Sequence, residues 1–483
     1  MNFLQDVIHA PLLVKLFIAA AIFVFAYVLY AFAFSKSTPE NKSPFLVRYK
    51  VHNGKPVDID IKRGLAIFGA SGAGKSRSGF LPIFKTAKEN RISLLTYDYK
   101  DFELTECVNF FYRDSGIPVH TISPARPEFS HCCNPMHTDY IKSFDDMNVL
   151  AGALISNLGT DPKGDAKFFS EAAESAFAGV GWRLKEDYPQ HCHIPMAVSI
   201  IMGKDPGGLY DFISKSQYAS LLGKTFLDSA VSEKQLAAVM GTLSAALRKI
   251  ISPQIFMIFS KNDFDLAINK GPAVLNVVNH PKYDTVLAPF IATVVQSALT
   301  QMSERGRNPA YFSIDEASTI KINKMERIPA TLRSYDIGTI FGLQDKIQGV
   351  DVYGENKLKA ILTNLGAKLL GKANDADTAE YYQKLFELIE VEQVSFSKGT
   401  GLLANAEMRE NISTKEKSKH RAHEFYKLSP GDFFVFDDKG SSHKVKFKAE
   451  ECQPVKSKIV NDYSQTELEV NFKKILDIGR SLE

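Results

Sequence analysis

Apolar residues along the chain fall into three textures. The first is continuous: residues 16–34 are 19 successive apolar or aromatic positions. As a helix rising about 1.5 Å per residue they would reach roughly 28 Å, close to the hydrocarbon thickness of a bilayer. That length predicts a transmembrane helix. The second texture is a set of short strand-like runs, most of them largely apolar and bounded by polar, Gly or Pro positions, at 65–68, 92–97 and 119–122, and then at 273–278, 311–314, 339–343, 367–371 and 433–436. Runs this short, without strict alternation, are what strands covered on both faces look like. The third texture fills the interval between the two sets. Over 165–183, Phe168, Phe169, Ala172, Ala176, Phe177 and Val180 recur at three- and four-residue spacing, and 235–247 repeats the pattern; both predict amphipathic helices. A long helix over 285–302, another running to Phe386 from capping residues at 374–378, and a short amphipathic one over 468–478 complete the expected elements.

Composition refines this only where it excludes something. An apolar fraction of 45% and a charged fraction of 23% rule out a disordered chain. A net charge of +3 permits a nucleic-acid partner without requiring one. Five scattered cysteines are no disulfide framework and suit a reducing compartment. The flanks of the apolar segment say more. Lys36, Lys42, Arg48, Lys50 and Lys55 follow it, whereas only Lys15 sits beside its other end. The positive-inside rule then places the body in the cytoplasm and the N-terminus outside. Ala31-Phe32-Ala33 would suit a signal-peptide cleavage site, but the long apolar core and the absence of a preceding basic run favour a retained span.

Chemistry concentrates where the short runs end. Residues 69–76 read Gly-Ala-Ser-Gly-Ala-Gly-Lys-Ser and match G-x-x-x-x-G-K-[ST] at every fixed position, with a strand expected before and a helix after. Gly69, Ala70, Ser71, Gly72, Ala73 and Gly74 would curl so that backbone N–H groups face phosphate oxygens; Lys75 would reach the β- and γ-phosphates and the Ser76 hydroxyl would ligate magnesium. ATP and Mg2+ are the expected cofactors. Asp315-Glu316 ends the run 311–314 as a Walker B pair does. Asp315 is expected to hold the metal and Glu316 to orient the attacking water. Gln344, at the tip of 339–343, suits a contact to the γ-phosphate or that water, or else merely satisfies a turn. Lys100, in Asp98-Tyr99-Lys100-Asp101, either approaches a phosphate or forms a surface charge pair. The clusters His131-Cys132-Cys133 and His191-Cys192-His193 lack the spaced ligand pairs of a zinc site and are read as structural. The polar, locally basic stretch 397–423 is read as a solvated loop.

These elements predict an α/β fold: a P-loop nucleotide-binding domain with an inserted all-α domain, preceded by one transmembrane helix. The expected boundaries are 1–10 outside, 11–34 in the membrane, 35–143 for the first part of the nucleotide domain after a linker at 35–44, 144–260 for the insertion, 261–450 for the second part, and 451–483 for a tail. In this order the motifs resemble the type IV coupling proteins of bacterial conjugation and secretion. The likeness is carried by residues 69–76, Asp98 to Asp101, Asn134-Pro135, Ile314 to Ala317, Arg333-Ser334-Tyr335, Gly342-Leu343-Gln344, residues 353–356, Ala373-Asn374-Asp375 and residues 378–381. The resemblance implies that the P-loop nucleotide-binding domain is RecA-like and belongs to an inner-membrane ATPase that assembles as a homohexamer. It would receive single-stranded DNA bound to a relaxase and deliver it to a type IV secretion channel. In such rings an arginine from one subunit reaches the nucleotide of the next, and Arg333, with Arg327 second, matches that role. One span, where many relatives have two, sets this chain apart. A pump for double-stranded DNA like FtsK and a nucleotide-controlled docking platform for secreted proteins remain alternatives.

Overall fold

The short apolar runs assemble into one sheet. In chain order the strands are β1 (Leu46–Tyr49), β2 (Val57–Asp60), β3 (Leu65–Phe68), β4 (Ser93–Asp98), β5 (Val119–Ile122), β6 (Val274–Val278), β7 (Ala310–Ile314), β8 (Ile337–Leu343), β9 (Ala367–Leu370), β10 (Leu388–Lys398), β11 (Met408–Ser418), β12 (Asp432–Phe436) and β13 (Ser442–Lys446). Nine of them lie side by side as β13-β12-β9-β3-β8-β7-β4-β6-β5. Pairing is parallel from β9 to β5, and β12 and β13 add an antiparallel edge. The computed structural model describes residues 43–158, 166–398, 408–438 and 440–483, with Pro11, Phe23 and Val24. Apart from Phe23 and Val24, the expected span over 16–34 and the segments flanking it to residue 42 lie outside the described residues. The chain divides after Pro44, and the unit Phe45–Glu483 carries all of these strands.

Burial on both faces explains the unbroken apolar runs. Every residue of β3, β4, β6, β7 and β8 is buried, and successive residues point to opposite sides. Leu65 and Ile67 enter one core with the β1–β2 hairpin and helices Leu81–Glu89 and Glu103–Tyr112; Ala66 and Phe68 enter the other. The second core also takes in helix Asp284–Met302. That helix is long and apolar enough to cross a membrane, but its buried face packs within the fold against helix Phe144–Leu158.

Between β5 and β6 the described chain is helical: Phe144–Leu158, Ala166–Asp187, Ile194–Gly203, Pro206–Ser214, Gln217–Leu222, Lys224–Ser229, Glu233–Leu247 and Pro253–Ile258. Asp205, Ser216, Ser232 and Ser252 each cap the helix they precede by accepting a backbone N–H, which supplies partners for donors that a helix start otherwise leaves unpaired.

Two stretches differ from expectation. Where a solvated loop is expected at 397–423, β10 and β11 form an antiparallel ladder running from Leu388 opposite Ser418 to Lys398 opposite Met408. Polar residues dominate both strands, so no one-faced apolar alternation announces them. The C-terminal helix is Gln465–Ser481, longer than 468–478, because Ser464 and Glu467 form a capping box that starts it earlier. It packs on helices Ile194–Gly203 and Pro253–Ile258, so the tail is part of the fold.

A phosphate-binding loop facing two buried carboxylates

The carboxyl ends of β3, β8, β7 and β4 lie together on one edge of the sheet. Phe68 is level with Leu343, Ile314 with Phe341, and Ile314 with Tyr97. In an open α/β sheet this edge is where ligands bind. From β3 the chain enters 69–76. Gly69 N–H donates to the Leu343 carbonyl (3.1 Å) and Ala70 N–H to that of Lys372 (2.8 Å), which ties the loop to the tips of β8 and β9. Gly74 has a φ of 92°, and a Cβ there would lie 2.9 Å from the backbone nitrogen of Gly431. Only glycine suits both the left-handed backbone and the close approach. Gly431 N–H in turn donates to the Ala73 carbonyl (3.0 Å), so a distant turn buttresses the loop. Residues Lys75–Phe80 form a π-helical turn before the α-helix Leu81–Glu89, a local widening found often at functional sites.

Lys75 is buried, and its Nζ donates to the Gly69 carbonyl (2.7 Å) and lies 3.5 Å from Glu316 Oε1. Burial holds its ammonium below the ordinary lysine range, against the pull of Glu316 and Asp315. Glu316 has a φ of 56°, in the left-handed region that side chains rarely adopt. Its Oε1 accepts from Gln344 Nε2 (3.0 Å) and sits 3.3 Å from Lys100 Nζ. Asp315 is buried too, and burial beside Glu316 pushes its carboxyl up to about 7. Asp315 Oδ1 and Glu316 Oε2 are buried without a hydrogen-bond partner. Such orphaned acceptors are costly. A cation or water supplied with a ligand would satisfy them.

The structure therefore brings Lys75, Asp315, Glu316 and Gln344 together, with Ser76 at the wall of the same cavity of about 650 Å3. Arg333 is elsewhere. It is exposed on a 3-10 turn, Arg333–Tyr335, before β8 begins. The seven residues of β8 separate it from Gln344 by roughly 23 Å at about 3.3 Å per residue. Arg327, also exposed, precedes helix Ile328–Leu332. Sequence reasoning did not find His52, Pro430, Gly431, Phe447 and Ala449, which close the cavity from the β1–β2 hairpin and from the segments flanking β12 and β13. None belongs to a local pattern; only tertiary folding places them there. A roomier cleft of about 830 Å3, lined by Asp265, Lys270, Glu304 and Arg307 among others, opens near the amino ends of β6 and β7. That is the sheet edge away from the phosphate-binding loop.

A P-loop set beside an acidic strand end, with a glutamine-tipped strand between the two, defines the P-loop nucleotide-binding class. The model of the type IV secretory system conjugative DNA transfer family matches residues 37–426, and the chain belongs to that family. Among solved structures it is similar to the unbound bacterial conjugative coupling protein TrwBdeltaN70 (17% identity, TM-score 0.66, covering 84% of this chain and 90% of that one). It is also similar to the plasmid coupling protein TrwB in complex with ADP and Mg2+ (17%, 0.65, 83% and 88%). A further likeness is to VirB4 of Thermoanaerobacter pseudethanolicus (13%, 0.53, 85% and 97%). At these identities the likeness shows the fold. A comparison with curated proteins returned no match.

Proposed function

We propose that this chain is a membrane-anchored ATPase serving as the coupling protein of a conjugative type IV system, and that residues 69–76 with Asp315, Glu316 and Gln344 are its nucleotide site. The observation that carries this reading is the pair of orphaned buried oxygens, Asp315 Oδ1 and Glu316 Oε2, on a carboxylate pair whose Glu316 lies 3.5 Å from Lys75 and lines, with the loop, a cavity of about 650 Å3. The coupling protein TrwB has been solved with ADP and Mg2+ and with non-hydrolysable ATP and GTP analogues, which supports the same ligands here.

Backbone N–H groups of the loop and Lys75 would bind the phosphates. Ser76 and Asp315 would hold Mg2+, whose charge offsets that on the phosphates. Glu316 orients a water through its free oxygen. The water oxygen bonds to the γ-phosphorus as the bond to the bridging oxygen breaks, and the water's proton leaves toward Glu316 or the phosphate. Arg333 would serve the site of an adjoining subunit in a homohexameric ring, and its exposed place away from its own loop leaves it available for that role. In this reading the body is cytoplasmic beneath an inner-membrane span, and the cargo is relaxase-bound single-stranded DNA passed to the secretion channel.

The test is the ATPase rate of the full chain in detergent, without DNA and with single- or double-stranded DNA, for wild type, Lys75→Ala and Glu316→Gln. Lys75→Ala should lose nucleotide binding, and Glu316→Gln should bind but stall. Normal turnover in either variant would sink the site. Stimulation by single strands supports the conjugative role, a duplex preference favours an FtsK-like pump, and indifference to DNA favours a docking platform.

A further inference from the structure

Lys100 stands out from the ordinary surface lysines by the number of contacts that place it. Asp98, almost fully buried at the tip of β4, accepts from the Lys100 N–H (3.1 Å), the Leu104 N–H (3.0 Å), the Thr105 N–H (2.8 Å) and the Thr105 hydroxyl (2.8 Å). On the other side of Lys100, Asp101 takes a two-pronged bond from Arg126 (2.8 and 2.6 Å). Between these anchors Asp101 and Phe102 both adopt left-handed backbone, with φ of 49° and 76°. Non-glycine residues held this way cost energy and persist only where surroundings over-determine them, a condition that gathers at functional sites. The outcome is that the Lys100 ammonium lies 3.3 Å from Oε1 of Glu316, itself left-handed at φ 56°.

That oxygen is crowded. Lys75, Lys100 and Gln344 all approach Oε1, and Oε2 has no partner. Phosphates entering the loop compete for Lys75, which already reaches the Gly69 carbonyl. Lys100 comes from β4, on the far side of β7 from β8 and β3, and is anchored by residues outside the loop. It is the cation that remains for Glu316 when Lys75 is occupied. Burial opposes its charge, but Asp315 and Glu316 outweigh burial and hold its ammonium above the ordinary lysine range.

We propose that Lys100 is a positioning residue for Glu316: it pins one carboxylate oxygen so that the other stays turned toward the attacking water while Lys75 serves the phosphates. The proposal rests on the reading of Glu316 given above, and that reading is tested separately, since Glu316→Gln must stall turnover whatever Lys100 does.

The experiment compares Lys100→Met and Lys100→Arg in the full chain, in both wild-type and Glu316→Gln backgrounds. It measures kcat and KM for ATP, and the affinities for ADP and a non-hydrolysable ATP analogue. Lys100→Met should lower kcat by about 30-fold or more while both affinities change by less than about 3-fold, and Lys100→Arg should recover part of the rate. In the Glu316→Gln background Lys100→Met should have no further effect on residual turnover, because groups acting as a unit are not additive. A selective loss of affinity for the triphosphate analogue would make Lys100 a γ-phosphate ligand and overturn the proposal. So would an undiminished kcat, or an equal loss in both backgrounds.

Discussion

Gly479 offers the sharpest test of how the C-terminal helix is held. A Cβ at this position would lie 2.2 Å from Ser199 Oγ, 2.7 Å from Ser199 Cβ and 3.2 Å from the Ile200 nitrogen, so Gly479→Ala places a methyl more than 1 Å inside ordinary contact. Two responses compete. The helix Gln465–Ser481 can stay docked and strained, at about 1–3 kcal/mol for an overpacked carbon. Alternatively it lifts off, exposing Leu468 and Ile475, which are buried, at roughly 1.5–3 kcal/mol each and therefore about 3–6 kcal/mol together. Strain is the smaller cost, so the helix should remain seated but open more often. Alanine also favours helix over glycine by about 1 kcal/mol, which trims the net effect without cancelling it. With a 2.2 Å approach the strain falls in the upper part of its range, leaving about 1–2 kcal/mol net, and hydrogen exchange read by mass spectrometry on 465–481 should show protection lowered by about 5- to 30-fold, at tenfold per 1.4 kcal/mol. Ser199→Gly removes both offending atoms but also the hydroxyl that donates to the Ile475 carbonyl (3.1 Å). The double variant should therefore lose less protection than the two single losses combined. Equal protection in wild type and Gly479→Ala, or strict additivity in the double variant, would refute the packing argument.

Arg333→Ala should leave the affinity for a non-hydrolysable ATP analogue within about 2-fold but cut turnover by about 10^3 or more, as loss of an arginine finger does. Mixing inactive Arg333→Ala with inactive Glu316→Gln subunits should restore part of the activity, since some interfaces then pair an intact arginine with an intact glutamate; no recovery would dismiss Arg333 from that role. His193 caps helix Ile194–Gly203 by accepting the Met196 N–H (3.1 Å), and burial pushes its imidazole down to about 3. The unfolded chain takes up that proton near pH 6.5, so the stability contributed by the neutral ring is complete above about pH 6.5 and is lost as pH falls toward 3, by about 2 kcal/mol between pH 7.5 and 5. His193→Asn keeps a capping acceptor without titrating, and urea midpoints measured over that range should fall less steeply than in wild type; an unchanged slope would count against the assignment.

Most of the sheet was legible because buried parallel strands betray themselves. The expected run 65–68 is β3 itself, and 339–343 lies inside β8. Their continuous apolar character follows from helices or a hairpin on both faces. The P-loop was legible for a different reason: its chemistry needs two glycines, a lysine and a hydroxyl at fixed local spacing. The β1–β2 hairpin and the β10–β11 ladder escaped notice because their short or polar strands lack a one-faced pattern. The π-helical turn at Lys75–Phe80 also left no mark, since its residues read equally well as α-helix. The reach of Lys100 to Glu316 depends on the left-handed backbone at Asp101 and Phe102, where side chains rarely sit, so no propensity would have announced it.

Contacts between segments distant in sequence, which no local pattern announces, join the nucleotide cavity to the helical region. Gly431 N–H bonds the phosphate-binding loop, Phe447 N–H bonds Gly431, and Glu450 N–H bonds the Arg77 carbonyl just past the loop (2.9 and 3.0 Å for the last two). Glu450 also accepts from Lys85 (2.6 Å). From there the chain runs along helix Glu103–Tyr112, where Val455 N–H meets the Glu106 carbonyl (3.0 Å), and passes Glu128, whose carbonyl takes the Val460 N–H (2.9 Å). It ends in the helix seated on Ile194–Gly203 by Ser199 and Gly479. Each bond along this route is short and specific, and the route has no free stretch longer than a few residues in which a displacement could dissipate. A shift of the loop on binding phosphate, were it carried along residues 447–464, would arrive at the helices between β5 and β6. Hydrogen exchange on 465–481, measured with and without a non-hydrolysable ATP analogue, should change with nucleotide in wild type. In Gly479→Ala, where the far end of the route is loosened, that change should shrink; an identical response would mean that the segment is anchored at both ends without transmitting anything between them.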